Sequence, residues 1–371
     1  MYYGDAIDEL LSRLKIKDKT NKEKRAIAGL KLNMTYKEIC NNSLVDWKPL
    51  IRNANILTVP NYTTGLVSIT KYTGTNRLLA STVTGSGTTW TDKMLGRYFQ
   101  HENTSQWYMI IKVVSTTEMV LDQPIVEASN SGLTYGIWKR FYYFPSNVEK
   151  LLDFGRWTGN GIIQETGLKY LRDRTNNIAQ SGTASEYVMN GMYDFDTSYT
   201  TGKVALTEDS NVMTGVGTLW MDNVENGDLV IVSDNEYHVK RVESDTRIIL
   251  TNAAEDAVSS SADYSIAPFF KVGFELHNSP SAQEILPYVF SKRVFDLVNE
   301  DKDRFDVPEK FEKAILNGAE SMYLSDQDDS KYASKHNLYV GNINDLKRTD
   351  MYSRPRKKVF RPTNCERGGY I

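Results

Sequence analysis

The sequence predicts an α+β fold: a helical bundle body built from N- and C-terminal helices, two inserted homologous small β-sandwich or barrel modules, and an extended C-terminal tail. Three observations predict it. Apolar residues recur at helical spacing near both ends, a stretch of strand-like period in the middle occurs twice, and the C-terminal stretch is basic and aperiodic. The expected divisions are N-terminal helices over 1–56, a strand region with the first β-module over 57–140 and a central helix and strand segment over 141–197. The second β-module over 198–268, C-terminal helices over 269–350 and the basic tail over 351–371 complete the chain.

Ile7, Leu10, Leu11 and Leu14 recur at i, i+3, i+4 and i+7, and Ile27, Leu30 and Met34 form a similar stripe in a second segment rich in Lys, Glu and Ala. Both segments predict amphipathic helices that must pack on each other or on the C-terminal helices, because isolated helices of this length are marginal in water. Trp47 and Leu50 are expected to close that core. From Leu57 the period becomes that of strands, with Trp107, Met109, Ile111 and Val113 on one face and Tyr108, Ile110, Lys112 and Val114 on the other.

The repeat is the most specific feature. Thr84-Gly85-Ser86-Gly87-Thr88-Thr89-Trp90-Thr91-Asp92 is echoed by Thr214-Gly215-Val216-Gly217-Thr218-Leu219-Trp220-Met221-Asp222. Farther along, Tyr108, Val113, Ser115, Thr117 and Leu121 match Tyr237, Val242, Ser244, Thr246 and Leu250, and Tyr135 with Ile137 matches Tyr264 with Ile266. This predicts two copies of one module, near 66–139 and 198–267. In each, the glycines permit a tight turn and the tryptophan plugs a small core. Modules this small are expected to dock on a larger body.

Between the copies, Phe144-Pro145-Ser146-Asn147-Val148 with Glu149 to Leu152 predicts a short helix capped by the serine or asparagine. A segment from Gly167 to Ile178 follows, then a strand-like Glu186-Tyr187-Val188-Met189. After the second module, Ser281-x-x-Glu284 matches a capping box, with Leu286, Phe290, Val294 and Leu297 on one helical face. Pro308 suits the first turn of another helix with Phe311, Ile315 and Met322 inward, and a last helix runs through Tyr332, His336 and Tyr339.

No motif calls for a cofactor, a metal or a catalytic residue. Gly85-x-Gly87 and Gly215-x-Gly217 lack the following helix, lysine and third glycine of a phosphate loop, so they read as turns. Asp326-Gln327-Asp328-Asp329-Ser330 opens like a calcium loop, but Lys331 and Asn337 stand where that loop needs Gly and Glu. His101, His238, His277 and His336 show no paired spacing, no Gly-x-Ser-x-Gly elbow is present, and Cys40 and Cys365 lie at opposite ends of the chain. Glu300-Asp301-Lys302-Asp303 reads as a polar helix end balanced by Lys302 and Arg304.

Net charge of -3 argues against a globally basic nucleic-acid binder, and neither a signal peptide nor an apolar run long enough for a membrane span is evident. The tail is locally basic: Arg354, Arg356, Lys357, Lys358, Arg361 and Arg367 face only Glu366. It reads as a solvated terminus, a phosphate contact, or an arm that lies on a partner with Val359, Phe360, Tyr370 and Ile371 as anchors.

The order of segments resembles the head-to-tail adaptor proteins of tailed bacteriophages, including the tail tubular A-like proteins of short-tailed phages. The resemblance is carried by helices ending at Asp46-Trp47, by Tyr143-Phe144-Pro145-Ser146-Asn147-Val148, by Gly182-Thr183-Ala184-Ser185-Glu186-Tyr187, by Ile285-Leu286-Pro287-Tyr288, and by Val298 to Pro308. Two departures are the presence of two β-modules and Ala184 where a proline is expected. The resemblance implies a structural, non-enzymatic virion protein in the neck between capsid and tail, assembled in the host cytoplasm. It implies a homo-oligomeric ring, twelvefold like the portal above it, that extends the DNA channel. Its partners would be the portal protein, reached by the tail residues Arg354, Arg356, Lys357, Lys358, Phe360, Arg361 and Tyr370, and downstream tail, nozzle or fibre proteins met by the modules. DNA would pass through transiently and without sequence preference, and no membrane is involved.

Two other readings are weighed beside it. The Trp-containing modules could belong to a tail fibre, spike or hub and bind glycans or other tail proteins, in which case Trp90 and Trp220 are expected on the surface. A tail-associated hydrolase would need a pocket of convergent titratable groups.

Overall fold

The computed structural model describes residues 1–42, 44–73, 81–155, 163–167, 181–192, 198–269 and 271–351. The chain has an α+β fold in which N- and C-terminal helices flank two curled, half-barrel-like β-sheet modules. The terminal helices are α1 (Tyr3–Arg13), α2 (Lys22–Cys40), α3 (Glu309–Ser325) and α4 (Tyr332–Asp350). They share one core in which Ile7, Leu10, Leu11, Trp47, Leu50, Phe311 and Ile315 are buried. The Trp47 indole donates to the Ile39 carbonyl at 2.6 Å and meets Phe311 edge-on, so the expected role of Trp47 holds.

The face of α2 is the first correction. Ile27, Leu30 and Met34 are 39%, 58% and 44% exposed, and the helix instead buries Ala28, Gly29, Leu32, Tyr36 and Ile39. Close approach decides the face. A Cβ at Gly29 would lie 2.4 Å from the Tyr3 hydroxyl, so only this small-residue side lets α1 come near.

Between helices and modules lies a β-layered core. The strand Ile285–Lys292 pairs antiparallel with Ile51–Leu57 on one side and Val148–Phe154 on the other. A second sheet orders Gln164–Glu165, Glu186–Met192, Val272–His277 and Phe141–Tyr143. Side chains of both sheets, among them Phe144, Phe154, Phe274, Leu286, Tyr288 and Phe290, form one apolar cluster. The strand at Glu186 was expected. Two expected helices are not found.

Ser281 to Leu297 forms the Ile285–Lys292 strand rather than a helix, with Leu286, Tyr288 and Phe290 buried in alternation. Pro287 explains the choice, because in a helix capped at Ser281 it would sit in the interior and break the ladder. Phe144 to Leu152 likewise yields the strand Val148–Phe154, and Ser146 caps nothing: its hydroxyl donates to Asp228 and accepts from the Phe269 amide. Glu300 to Asp303 is a turn, not a helix end. The positions from Leu168 to Ile178 lie outside the described residues.

The modules have one topology. The first is a seven-stranded sheet in the order Asn130–Leu133, Leu66–Ile69, Ser81–Ser86, Glu118–Leu121, Tyr108–Ser115, Tyr98–His101, Tyr135–Trp138. The second repeats it as Val258–Ala262, Lys203–Leu206, Val212–Val216, Arg247–Leu250, Asn235–Ser244, Leu229–Val232, Tyr264–Ala267. Each encloses its own core around a tryptophan.

Candidate functional site

The repeated turn is built the same way twice. Gly87 and Gly217 have φ of +68° and +71°, a backbone that favours glycine. At Gly85 a Cβ would stand 2.4 Å from Thr88 Oγ1 and 2.9 Å from the Trp90 ring; at Gly215 the same collisions occur with Thr218 and Trp220. Trp90 Nε1 donates to Tyr135 Oη at 2.9 Å, and Tyr135 Oη donates to the Thr64 carbonyl at 2.6 Å. Trp220 donates to Tyr264 at 3.1 Å, and Tyr264 to the Thr201 carbonyl at 2.5 Å. Thr88 and Thr218 close the turn on the carbonyls of Thr116 and Asp245. Both tryptophans are buried, at 1% and 0% exposure, so they are core plugs rather than surface platforms. Asp222 pairs with Lys93 at 2.7 Å and thereby joins the two modules, whereas the side chain of Asp92 lies outside the described residues.

The second module is fastened to the body at two buried carboxylates. Asp303 accepts from the Asn252 side chain at 2.9 Å, from the Ala253 amide at 3.2 Å, and from the Val298 and Asn299 amides at 2.9 Å each. The same turn holds the N-terminus, since Tyr3 and Gly4 amides bond the Asp303 and Glu300 carbonyls and Arg25 pairs with the Glu300 carboxylate. Asp228 accepts from Ser146 at 2.9 Å and from the Glu225 amide at 2.8 Å, and lies 3.4 Å from Lys271. Burial pushes the Asp228 carboxyl up to about 6 in spite of Lys271. Lys271 is held above its usual range by Glu225 and Asp228, which outweigh its own burial, so it stays charged and the carboxyl is the group that titrates. Beside them His238 stacks on Phe295 at 4.0 Å, and burial lowers its pKa to about 4.

Basic groups gather where the first module meets the body. Arg97 is buried and its guanidinium is held below its usual range by desolvation. Lys139 is pushed down to about 8 by burial, with Arg97 and Lys271 adding repulsion, and its ammonium lies 4.9 Å over the Tyr142 ring. Arg140 pairs with the buried Glu275. The joints between module and body escape sequence reasoning because they pair single residues far apart in the sequence, such as Asn252 with Asp303, Ser146 with Asp228 and Arg140 with Glu275.

The remaining sequence candidates do not converge. Asp326 to Ser330 links α3 to α4, and among the described residues no group of three or more His, Cys, Asp or Glu side chains is arranged to hold a metal. A cleft of about 330 Å³ between α2 and α4 is lined by Glu38, Trp47, His336, Tyr339 and Lys347 among others. The tail residues Arg354, Arg356, Lys357, Lys358, Phe360, Arg361 and Tyr370 lie outside the described residues. No protein-family model matches the chain, and no curated protein matches it.

Proposed function

We propose that this chain is a structural head-to-tail adaptor of a tailed-phage neck, forming a ring beneath the portal. The observation that carries the reading is the outer face of α2. Ile27, Leu30 and Met34 project from a helical body whose internal core is complete without them. Such a face is expected to be covered by a neighbouring subunit, and head-to-tail contact between identical copies closes a ring when the rotation fits. A permanent contact of this kind buries about 1,200 Å² or more.

The segment-by-segment resemblance supports a place in the neck of the particle. The tail leaves the helical body beside Trp47, which bridges Met351, and in this reading its basic and aromatic residues reach into the portal. The two modules, fastened to the body by buried polar joints, present the surface for tail, nozzle or fibre proteins. The channel function is geometric: DNA passes, and few phosphate contacts brake it. The glycan-binding alternative loses its two exposed tryptophans to the module cores.

A cosedimentation assay tests the reading. The full chain is expected to bind DNA-filled heads that expose the portal, and a chain lacking Arg354 to Ile371 is expected to stay folded and remain in the supernatant. Normal attachment of the shortened chain would remove the tail's role; failure of the full chain to attach would overturn the adaptor reading.

A further inference from the structure

The two modules share a scaffold but differ reciprocally at a few surface positions. In the turn, the variable positions are Ser86, Thr89 and Thr91 in the first module and Val216, Leu219 and Met221 in the second. The latter three are 68%, 56% and 60% exposed. The first module forms the same turn with polar residues, so the apolar side chains are not needed to fold it.

The reverse holds on the long central strand. In Tyr108–Ser115 the ladder to Glu118–Leu121 skips Ile111 and Val114, and in Asn235–Ser244 the ladder to Arg247–Leu250 skips Lys240 and Glu243. These are matched β-bulges, which aim their extra residues away from the ladder. The first module fills them with exposed Ile111 and Val114, 47% and 49% accessible, and the second with charged residues. Beside the turn the exchange runs as on the strand, with Leu66 opposite Ser86 in the first module and Lys203 opposite Val216 in the second.

We infer that the Val216, Leu219 and Met221 turn of one copy docks on the Ile111 and Val114 bulges of the first module of a second copy of this chain. Charge selects this pairing. Placed on the second module's own strand, the apolar turn would desolvate Lys240 and Glu243, and Glu243 already bonds Arg241 and Arg247. The first module's strand carries apolar Ile111 and Val114 at those two bulges and keeps one charge, Lys112, where the second has Arg241. The contact joins different patches, so it is heterologous and propagates from copy to copy. It deepens the ring reading, on which it rests only in that copies must meet in sequence around an axis.

The chain supplies its own control substitutions. Val216→Ser, Leu219→Thr and Met221→Thr give the second turn the residues of the first; Ile111→Lys and Val114→Glu give the first strand those of the second. Each introduced residue already occupies the homologous site, and thermal melts check folding. Sedimentation velocity is expected to show self-association of the wild type weakened about tenfold or more in either variant alone. An equimolar mixture of the two is expected to regain pairing of wild-type affinity between one variant and the other, because one keeps a competent strand and the other a competent turn. Variants that assemble like the wild type overturn the module contact and leave the adaptor ring standing. A mixture that regains no pair, or a wild type that stays monomeric at its highest soluble concentration, also overturns it.

Discussion

Asn252 donates its side-chain amide to the buried carboxylate of Asp303, 2.9 Å away, across the seam between the second β-module and the helical body. Asp303 accepts three backbone amides as well, one of them from the module. A carboxylate with four donors and 5% exposure is a joint whose loss leaves several buried groups unpaired.

Asp303→Ala is therefore expected to destabilise the protein by about 3 kcal/mol or more, and Asp303→Asn, which keeps one accepting oxygen, by about 2 kcal/mol. Urea unfolding gives the magnitudes. Limited proteolysis locates the effect, with new cleavage expected at the edges of the second module and not within the first.

Gly85→Ala and Gly215→Ala each drive a methyl into a threonine hydroxyl and a tryptophan ring. Each is expected to cost about 1–3 kcal/mol and to perturb tryptophan fluorescence. Gly227→Ala should be at least as costly, since φ is +90° there and the new Cβ would lie 2.3 Å from the Asn147 amide nitrogen. An unchanged urea midpoint in all three would contradict the packing described.

The module joint carries two opposed pH dependences. Asp228 holds its proton more tightly when folded, near 6 against an ordinary 3.8, so its contribution favours the folded state at low pH and is lost as pH rises from about 4 to 6. His238 does the opposite. Its pKa falls from 6.5 to about 4, so the unfolded chain takes the proton first and stability rises over that interval. Relative to the wild type, Asp228→Asn should gain stability as pH rises from 4 to 6, and His238→Phe should gain it as pH falls from 6.5 to 4. Each change is on the order of 2 kcal/mol, read from urea midpoints across pH.

Replacing Ile27, Leu30 and Met34 together by Gln is expected to leave the monomer within about 0.5 kcal/mol of the wild type, because the three side chains are largely outside the core. The same variant is expected to fail in ring assembly. Differential scanning calorimetry and cosedimentation with heads separate the two effects.

The modules were legible because the repeated turn needs glycine at Gly85 and Gly215 and a tryptophan plug at Trp90 and Trp220, and those requirements keep the motif in register. Helix α1 was legible from Ile7, Leu10 and Leu11. The face of α2 was not, because burial there favours Ala28 and Gly29, whose small size admits α1 but adds little to an apolar stripe. The strand Ile285–Lys292 was misread as a helix because Leu286, Phe290 and Val294 are four apart, a spacing that serves both periods; Pro287 was the signal against it. Asp303 and Asp228 were invisible as joints, since their partners lie on loops far away in sequence.

The central claim is the ring beneath the portal, and a particle reconstruction of DNA-filled heads incubated with the full chain tests it most directly. The account predicts a closed ring stacked coaxially on the portal, with twelve copies, helices toward the portal and modules at the periphery. Trimers at a tail tip, or scattered monomers, would contradict it.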